Sequence, residues 1–282
     1  MPNELEFDID GFVFAAQEWG KPGGLPVLAL HGWLDNSASF SALAPRLSNV
    51  HLVAVDMAGH GYSSHRPGTA PYNIWEDVAE VFAIADKLGW NEFSLLGHSR
   101  GAIISVLAAG TFPERIQKLA LIEGLFPEPA RIEDAPAQLA ASINSVRARL
   151  ARPLSTYSDI DQAIKAREKG MFPLSEAAAR VLTERGIRAV EGGFQWSTDR
   201  RLFVPSAIKL TREHLQAFIS RISAPIKLLL AKDGLPKMFT GFEHELSLFP
   251  HIHVETLPGG HHLHMEEQVD LVATELNTFF EK

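Results

Sequence analysis

The sequence predicts an α/β fold in which a mostly parallel sheet carries helices on both faces. Short, continuous apolar runs alternate with stretches of helical periodicity along most of the 282 residues. Such runs are typical of strands buried on both faces of a parallel sheet, and their alternation with helices is typical of wound α/β proteins. The strand pattern stops near residue 127 and resumes near residue 222, so we expect an inserted helical segment between them.

The first 60 residues predict an antiparallel pair followed by two buried strands. Residues 6–10 and 12–18 are separated by Gly11, which indicates a hairpin-like opening. Continuous apolar runs follow at 26–30 and 51–56, and each ends in a polar stretch that contains glycine. We expect both runs to be strands of the parallel part of the sheet.

Helices and further strands alternate toward the end of the chain. A helix is predicted to begin after Asn73, because Glu76 lies three residues later and completes a capping box, and Gly89 ends it. The next strand begins at residue 93. The remaining strands are predicted at residues 118–122, 225–230 and 251–257, and a final helix has Val272, Leu276 and Phe279 on one face.

The segment from 127 to 221 is predicted to be helical, with no strands. Alanine and arginine become frequent there, and apolar residues recur at helical spacing. One predicted apolar stripe consists of Leu139, Ile143, Val146 and Leu150, and the predicted helix N-caps are Ser158, Ser175 and Thr211. We therefore predict a core formed by residues 1–126 and 222–282 and a helical cap formed by residues 127–221.

Composition excludes several classes of function. The net charge of −8 and the pI near 5.8 argue against binding to nucleic acid or to an anionic membrane. No apolar run is long enough to span a bilayer, and the acidic N-terminus does not resemble a secretory signal. The absence of cysteine excludes disulfides, thiolate metal sites and a cysteine nucleophile. The expected location is cytoplasmic.

The strand that begins at residue 93 leads into the pentapeptide G-x-S-x-G, formed by Gly97, Ser99 and Gly101, and then into an apolar helix. That order is the context in which a nucleophile elbow occurs. The sharp turn lifts the serine hydroxyl above the sheet edge, and side chains two positions before and after the serine would collide there. The helix directs free N–H groups toward the position where an oxyanion would form.

Four motifs in this order, HGWLDN, DMAGHGYSS, GHSRG and GGHHLHME, resemble those of the α/β-hydrolase superfamily. The resemblance is closest to the capped esterase and haloalkane-dehalogenase-like branch, and within it to the serine hydrolase-like proteins. It covers nearly all of the chain outside the helical insertion. The resemblance implies an eight-stranded sheet, a helical cap after the sixth strand, and a Ser–acid–His triad in that chain order.

The resemblance implies roles for individual residues. Ser99 matches the family's nucleophile and His261 its general base, with His262 and His264 as alternative bases. The acid has two candidates: Glu123, at the end of the sixth strand, and Asp233, in the turn after the seventh. We favour Glu123, because Asp233 lies one residue earlier than the family's usual aspartate.

Trp33 and Arg100 match the positions whose backbone N–H groups form the family's oxyanion hole. The Trp33 side chain is expected to line the acyl pocket, and the Arg100 side chain to form a salt bridge or lie at the pocket rim. No cofactor and no metal are expected. The histidines near the carboxyl terminus lack a carboxylate or cysteine at a known ligand spacing: they are His251, His253, His261, His262 and His264.

The predicted function is that of a serine hydrolase that cleaves a carboxylic ester or thioester through an acyl-enzyme. The expected partner is a small-molecule ester, and the protein is expected to be a monomer or a homodimer. Two alternatives stay open: a non-catalytic small-molecule-binding protein on the same fold, and a C–C bond hydrolase with the same triad. Haloalkane dehalogenase and epoxide hydrolase activities are disfavoured, because those relatives have aspartate at the position of Ser99.

Overall fold

The structure is a computed structural model that describes residues 2–238, 242, 246–249 and 251–281. Its strands are β1 (Asn3–Ile9), β2 (Phe12–Gly20), β3 (Leu25–Leu30), β4 (Val50–Val55), β5 (Phe93–His98), β6 (Ile116–Ile122), β7 (Ile187–Val190), β8 (Gly193–Trp196), β9 (Ile226–Ala231) and β10 (Ile252–Leu257). Its helices are α1 (Ile74–Lys87), α2 (Arg100–Thr111), α3 (Ala135–Ala151), α4 (Ile160–Glu168), α5 (Glu176–Gly186), α6 (Arg212–Ile219), α7 (Leu235–Met238) and α8 (Val269–Glu281).

Eight strands form one sheet in the order β1-β2-β4-β3-β5-β6-β9-β10. β2 is antiparallel to both of its neighbours, and all other pairs are parallel. The predicted mostly parallel, eight-stranded sheet is therefore confirmed.

The sheet is buried on both faces. In β3, Leu28 and Leu30 pack on one side with α1, α2 and α6, whereas Val27 and Ala29 pack on the other side with α8. This alternation is why the run is continuously apolar rather than half polar.

Register brings the ends of four parallel strands to one edge. His98 at the end of β5 pairs with Ile122 at the end of β6, and Ile122 pairs with Leu229 in β9. Leu257 at the end of β10 pairs with Ala231. The loops that leave these strands therefore begin next to one another, and they carry the predicted site residues.

The inserted segment contains a short hairpin, so the prediction that it has no strands is wrong. β7 and β8 pair antiparallel across the turn at residues 191–192. Each strand has only four residues, and most of them are exposed or half-buried, so neither strand shows the continuous apolar pattern of the core strands.

One further expectation about the insertion needs correction. The N-cap of α4 is Asp159, not Ser158, whose hydroxyl instead donates to the Asp159 carboxylate at 2.9 Å. The stripe on α3 is helical as predicted but faces solvent: Leu139, Ile143 and Leu150 are 46%, 48% and 39% exposed. Ser175 and Thr211 are N-caps, as predicted.

The carboxyl-terminal end of the predicted cap packs against the predicted core. α6 packs against α2 of the core, where a Cβ on Gly110 would lie only 2.5 Å from the Phe218 carbonyl oxygen. Leu215 and Ile219 belong to the same apolar cluster as the core helices. α6 therefore packs with the core, although the predicted cap includes its residues. The cap helices α4 and α5 form a small apolar cluster of their own.

Polar contacts fasten this cap to the core. Arg185 of α5 is 5% exposed, and its Nε donates to both Asp56 carboxylate oxygens at 3.0 and 2.9 Å. The indole N–H of Trp33 donates to the Leu202 carbonyl at 2.9 Å. No helix among the described residues is long and apolar enough to cross a membrane.

Candidate active site

Ser99 lies at the turn between β5 and α2. Its backbone has φ 52° and ψ −115°, a strained conformation for a residue with a side chain. A Cβ on Gly97 would lie 2.5 Å from the backbone of Ala102, and one on Gly101 would lie 2.0 Å from the Leu30 carbonyl oxygen. The two glycines therefore permit the close approaches that the turn requires, as the G-x-S-x-G pattern predicts.

Glu123 is the residue that directly follows β6, and it contacts His261. The Nδ1–H of His261 donates to Glu123 Oε2 at 3.0 Å. The Glu123 side chain is completely buried, and its two oxygens also accept from the backbone N–H groups of Ala231 and Leu235 at 2.7 and 2.8 Å. Three donors thus fix the carboxylate, and with it the orientation of the imidazole ring.

Asp233, the other candidate acid, lies on the surface and forms an ion pair with Lys237. The structure brings Glu123, and not Asp233, to His261. The next residue explains how the glutamate reaches this place: a Cβ on Gly234 would lie 2.0 Å from Glu123 Oε2. A side chain at position 234 would therefore occupy the space of the Glu123 carboxylate.

Ser99 and His261 line the same cavity, which has a volume of about 530 Å³. Trp33 lies in its wall, and its indole ring packs edge-on against Phe203 with ring centroids 5.5 Å apart. Volumes of this size suit a small organic molecule. The cap supplies much of the remaining wall, including Tyr157, Met171, Phe172, Trp196 and Phe203.

Comparison with known proteins identifies the family. Residues 26–183 match the family described as alpha/beta hydrolase fold. The chain belongs to this family.

This α/β hydrolase is similar to the serine hydrolase-like proteins. It is 34% identical over 231 residues to the serine hydrolase-like protein of Danio rerio, an alignment that covers 79% of this chain and 70% of that protein. It is 31% identical over 285 residues to serine hydrolase-like protein 2 of Homo sapiens, covering 94% and 90%. A crystal structure of a hypothetical protein from Pseudomonas aeruginosa PAO1 superposes with a TM-score of 0.95 at 41% identity, covering 99% of both chains. The predicted family is confirmed, and with it a hydrolase.

The hydrolase encloses the His261 ring between the cap and the core. Phe172 stacks on the imidazole with ring centroids 3.8 Å apart and an interplanar angle of 20°. Burial lowers the pKa of His261 below its ordinary value of 6.5, and the hydrogen bond that His261 donates to Glu123 acts in the opposite direction. The ring is therefore neutral at pH 7. With Nδ1 donating to Glu123, the Nε2 lone pair is available as a base.

The Arg100 side chain is directed away from the cavity of the hydrolase. Its guanidinium pairs with Asp77 of α1, and the residue is not part of the cavity wall. The expected salt bridge is present, whereas a place at the pocket rim is not. Because α2 begins at Arg100, the backbone N–H of this residue is one of those that a helix leaves without an internal partner.

A buried polar network lies beside His261. Asp35 Oδ1 accepts from Arg167 of the cap at 2.6 Å, and Oδ2 accepts from His262 at 3.2 Å. His98 Nε2 donates to the His261 carbonyl at 3.0 Å, which holds the loop that carries His261. The His262 contact ties this loop to Asp35. Burial alone would raise the pKa of Asp35, but the adjacent His262 and Arg167 hold it well below its usual value.

Among the described residues, Asp35, His98 and His262 are also grouped closely enough that they could hold a metal ion. Their ligand atoms lie within 4.8 Å of one another, and all three residues are buried. Both Asp35 oxygens already accept protein hydrogen bonds, one of them from a guanidinium, which does not fit a metal ligand. His253 on β10 and His251, directly before that strand, are exposed and do not belong to this group. His264 is buried against the His98 ring, with centroids 4.2 Å apart.

The sequence analysis missed the contribution of arginines in the cap. Arg167 contacts Asp35, and Arg185 contacts Asp56. In each pair the two residues are more than 120 positions apart in the sequence. Three other arginines line the cavity: Arg149, Arg152 and Arg200. The rise of arginine between residues 127 and 221 was the available signal, but composition does not say which of these side chains face inward.

Proposed function

We propose that the protein is a serine hydrolase that cleaves a carboxylic ester or thioester through an acyl-enzyme intermediate. The observation that carries the proposal is the buried contact of 3.0 Å between His261 Nδ1 and Glu123 Oε2, with Ser99 and His261 in the wall of one cavity. A serine hydroxyl becomes nucleophilic when an adjacent imidazole accepts its proton, and a carboxylate holds that imidazole in the required tautomer.

In the proposed mechanism, His261 Nε2 removes the Ser99 proton as Oγ attacks the carbonyl carbon of the substrate. The negative charge that develops on the carbonyl oxygen is stabilised by the backbone N–H groups of Trp33 and Arg100. When the tetrahedral intermediate collapses, His261 donates the proton to the leaving alcohol or thiol, and the acyl group stays on Ser99. Water, deprotonated by the same imidazole, then releases the acid and restores Ser99.

The proposal predicts hydrolysis of a short, neutral ester. Wild-type protein should hydrolyse 4-nitrophenyl butyrate or its thioester counterpart, and Ser99→Ala should lower kcat by about 10⁴-fold or more. The measurement is the initial rate of product release across a series of acyl chain lengths. Wild-type rates no higher than those of Ser99→Ala for every ester and thioester would refute the proposal.

The same assay predicts the direction of the pH dependence. Neutral His261 is the active form, and burial lowers its pKa below 6.5, so kcat/KM should be constant near pH 7 and fall only below pH 6.5. The measurement is kcat/KM for 4-nitrophenyl butyrate across the range of about pH 5 to 8. An acid limb at or above pH 7 would contradict the burial of the base.

A further inference from the structure

Three arginines of the cap lie in the wall of the cavity. Arg149 and Arg152 are at the carboxyl end of α3, and Arg200 begins a short 3-10 helix. Arg149 and Arg200 are half-buried, whereas Arg152 is exposed. None of the three forms an ion pair with a carboxylate of the residues that the structure describes.

The cavity wall does not neutralise these charges. Asp35 is the single carboxylate among the described residues that line the cavity, and its charge is met by Arg167 at 2.6 Å. The wall therefore carries an excess of positive charge in a chain whose net charge is −8. A concave surface lined by one sign of charge raises the local concentration of ligands of the opposite sign.

Two of the guanidinium groups are held in place by contacts that leave donors available. Arg149 lies over the Phe203 ring, with Cζ 5.0 Å from the ring centroid. Arg200 Nη1 donates to the Leu150 carbonyl at 3.5 Å and to the Arg152 carbonyl. Stacking uses the flat face of a guanidinium, and the carbonyl contacts use one nitrogen, so further N–H donors remain in a geometry that suits a carboxylate or phosphate.

We infer that the substrate carries an anionic group, a carboxylate or a phosphate, at a distance from the bond that is cleaved. Arg149, Arg152 and Arg200 bind this group. The inference rests on the proposed ester or thioester hydrolysis and names the substrate class that the cavity selects. Charge-assisted hydrogen bonds from several arginines compensate the anion for its lost hydration. Such a group would anchor the substrate at the cap while its carbonyl lies at Ser99.

Two matched substrate pairs test the inference and separate the two anions. Mono-4-nitrophenyl adipate is compared with 4-nitrophenyl hexanoate, and S-hexanoyl-4′-phosphopantetheine with S-hexanoyl-pantetheine. In one pair, kcat/KM for the anionic member should exceed that for the neutral member by about tenfold or more, and this ratio should fall as salt rises. The pair that shows the preference identifies carboxylate or phosphate.

Variants assign the preference to the arginines. In the double variant Arg149→Gln/Arg152→Gln, the ratio of anionic to neutral kcat/KM should fall by about tenfold or more. Arg147→Gln is the matched control, because Arg147 is exposed on the same helix and does not line the cavity. If the double variant does not fold, the single variant Arg152→Glu can replace it, because it changes only an exposed side chain. Arg152→Glu should also lower the ratio of anionic to neutral kcat/KM.

A binding measurement distinguishes failure of this inference from failure of the proposed function. Calorimetry with Ser99→Ala protein needs no turnover, and it uses adipate and 4′-phosphopantetheine as probes. One probe should bind, and should bind about tenfold more weakly when Arg149 and Arg152 are also replaced. If neutral esters are hydrolysed but neither pair shows a preference and neither probe binds, the inference is overturned and the hydrolase stands. If no ester is hydrolysed, the proposed function fails, and calorimetry still decides the anion site.

Discussion

Replacing Glu123 by Gln is expected to lower kcat for 4-nitrophenyl butyrate by about 10⁴-fold. Glu123 Oε2 accepts the His261 Nδ1 proton at 3.0 Å in a fully buried position, and a neutral amide can no longer stabilise the imidazolium that forms when Ser99 loses its proton. An amide N–H directed at Nδ1 would also move the ring proton to Nε2, where it blocks the base. The measurement is kcat by initial rates.

Asp233→Asn is the matched control, because the same carboxyl-to-amide change is made at the other candidate acid. Asp233 is on the surface and paired with Lys237, so its replacement should change kcat by less than about twofold. Thermal unfolding of both variants verifies that they are folded. A larger loss in Asp233→Asn than in Glu123→Gln would contradict the assignment of Glu123.

Replacing Arg185 by Met is expected to lower the free energy of unfolding by about 3–5 kcal/mol. Arg185 is 5% exposed, and its guanidinium contacts both oxygens of Asp56, which is completely buried. Methionine keeps most of the apolar stem but leaves the carboxylate without its opposite charge. Equilibrium unfolding in urea measures the free energy of unfolding. In a separate thermal unfolding experiment, we expect Tm to fall by about 10 °C.

Arg180→Met provides the comparison on the same helix. Arg180 pairs with Glu176 at 3.0 Å, where both side chains are largely exposed, so its replacement should lower the free energy of unfolding far less than that of Arg185. In the double variant Arg185→Met/Asp56→Asn, part of the lost stability should return, because no charge is left buried. Equal losses in Arg185→Met and Arg180→Met would show that the buried pair does not fasten the cap.

The core sheet was predictable because its signal is local. A strand such as β3, buried on both faces, must be continuously apolar over six residues, and its ends are marked by polar, glycine-containing stretches. The elbow was predictable for a similar reason. Gly97 and Gly101 are required by close backbone approaches within a few residues of Ser99.

The cap was less predictable because burial there depends on partners distant in sequence. The apolar stripe on α3 has the periodicity of a buried face, yet Ile143 is 48% exposed. Conversely, Arg185 and Arg167 are charged residues in polar stretches, and each is drawn inward by a carboxylate of the core loops. Periodicity reports the shape of a helix, whereas these contacts depend on how the cap is placed on the sheet.

The choice between the two acids shows what sequence reasoning could and could not reach. Both Glu123 and Asp233 follow strands that end at the same sheet edge, so chain order alone left both open. In the structure Glu123 contacts His261, and Gly234 leaves the space that the Glu123 carboxylate occupies. Glycine after an aspartate is also typical of an ordinary turn, so the sequence alone did not indicate the steric role of Gly234.

Activation of Ser99 by His261 is tested most directly with a fluorophosphonate probe, which reacts covalently with an activated serine. Intact-protein mass spectrometry should show one adduct per wild-type chain, and peptide mapping should place it on Ser99. Ser99→Ala should form no adduct, and the rate of adduct formation by His261→Ala should be lower than that of wild type by at least about 10³-fold. No adduct on Ser99 in folded wild-type protein, or equal rates with and without His261, would contradict the account.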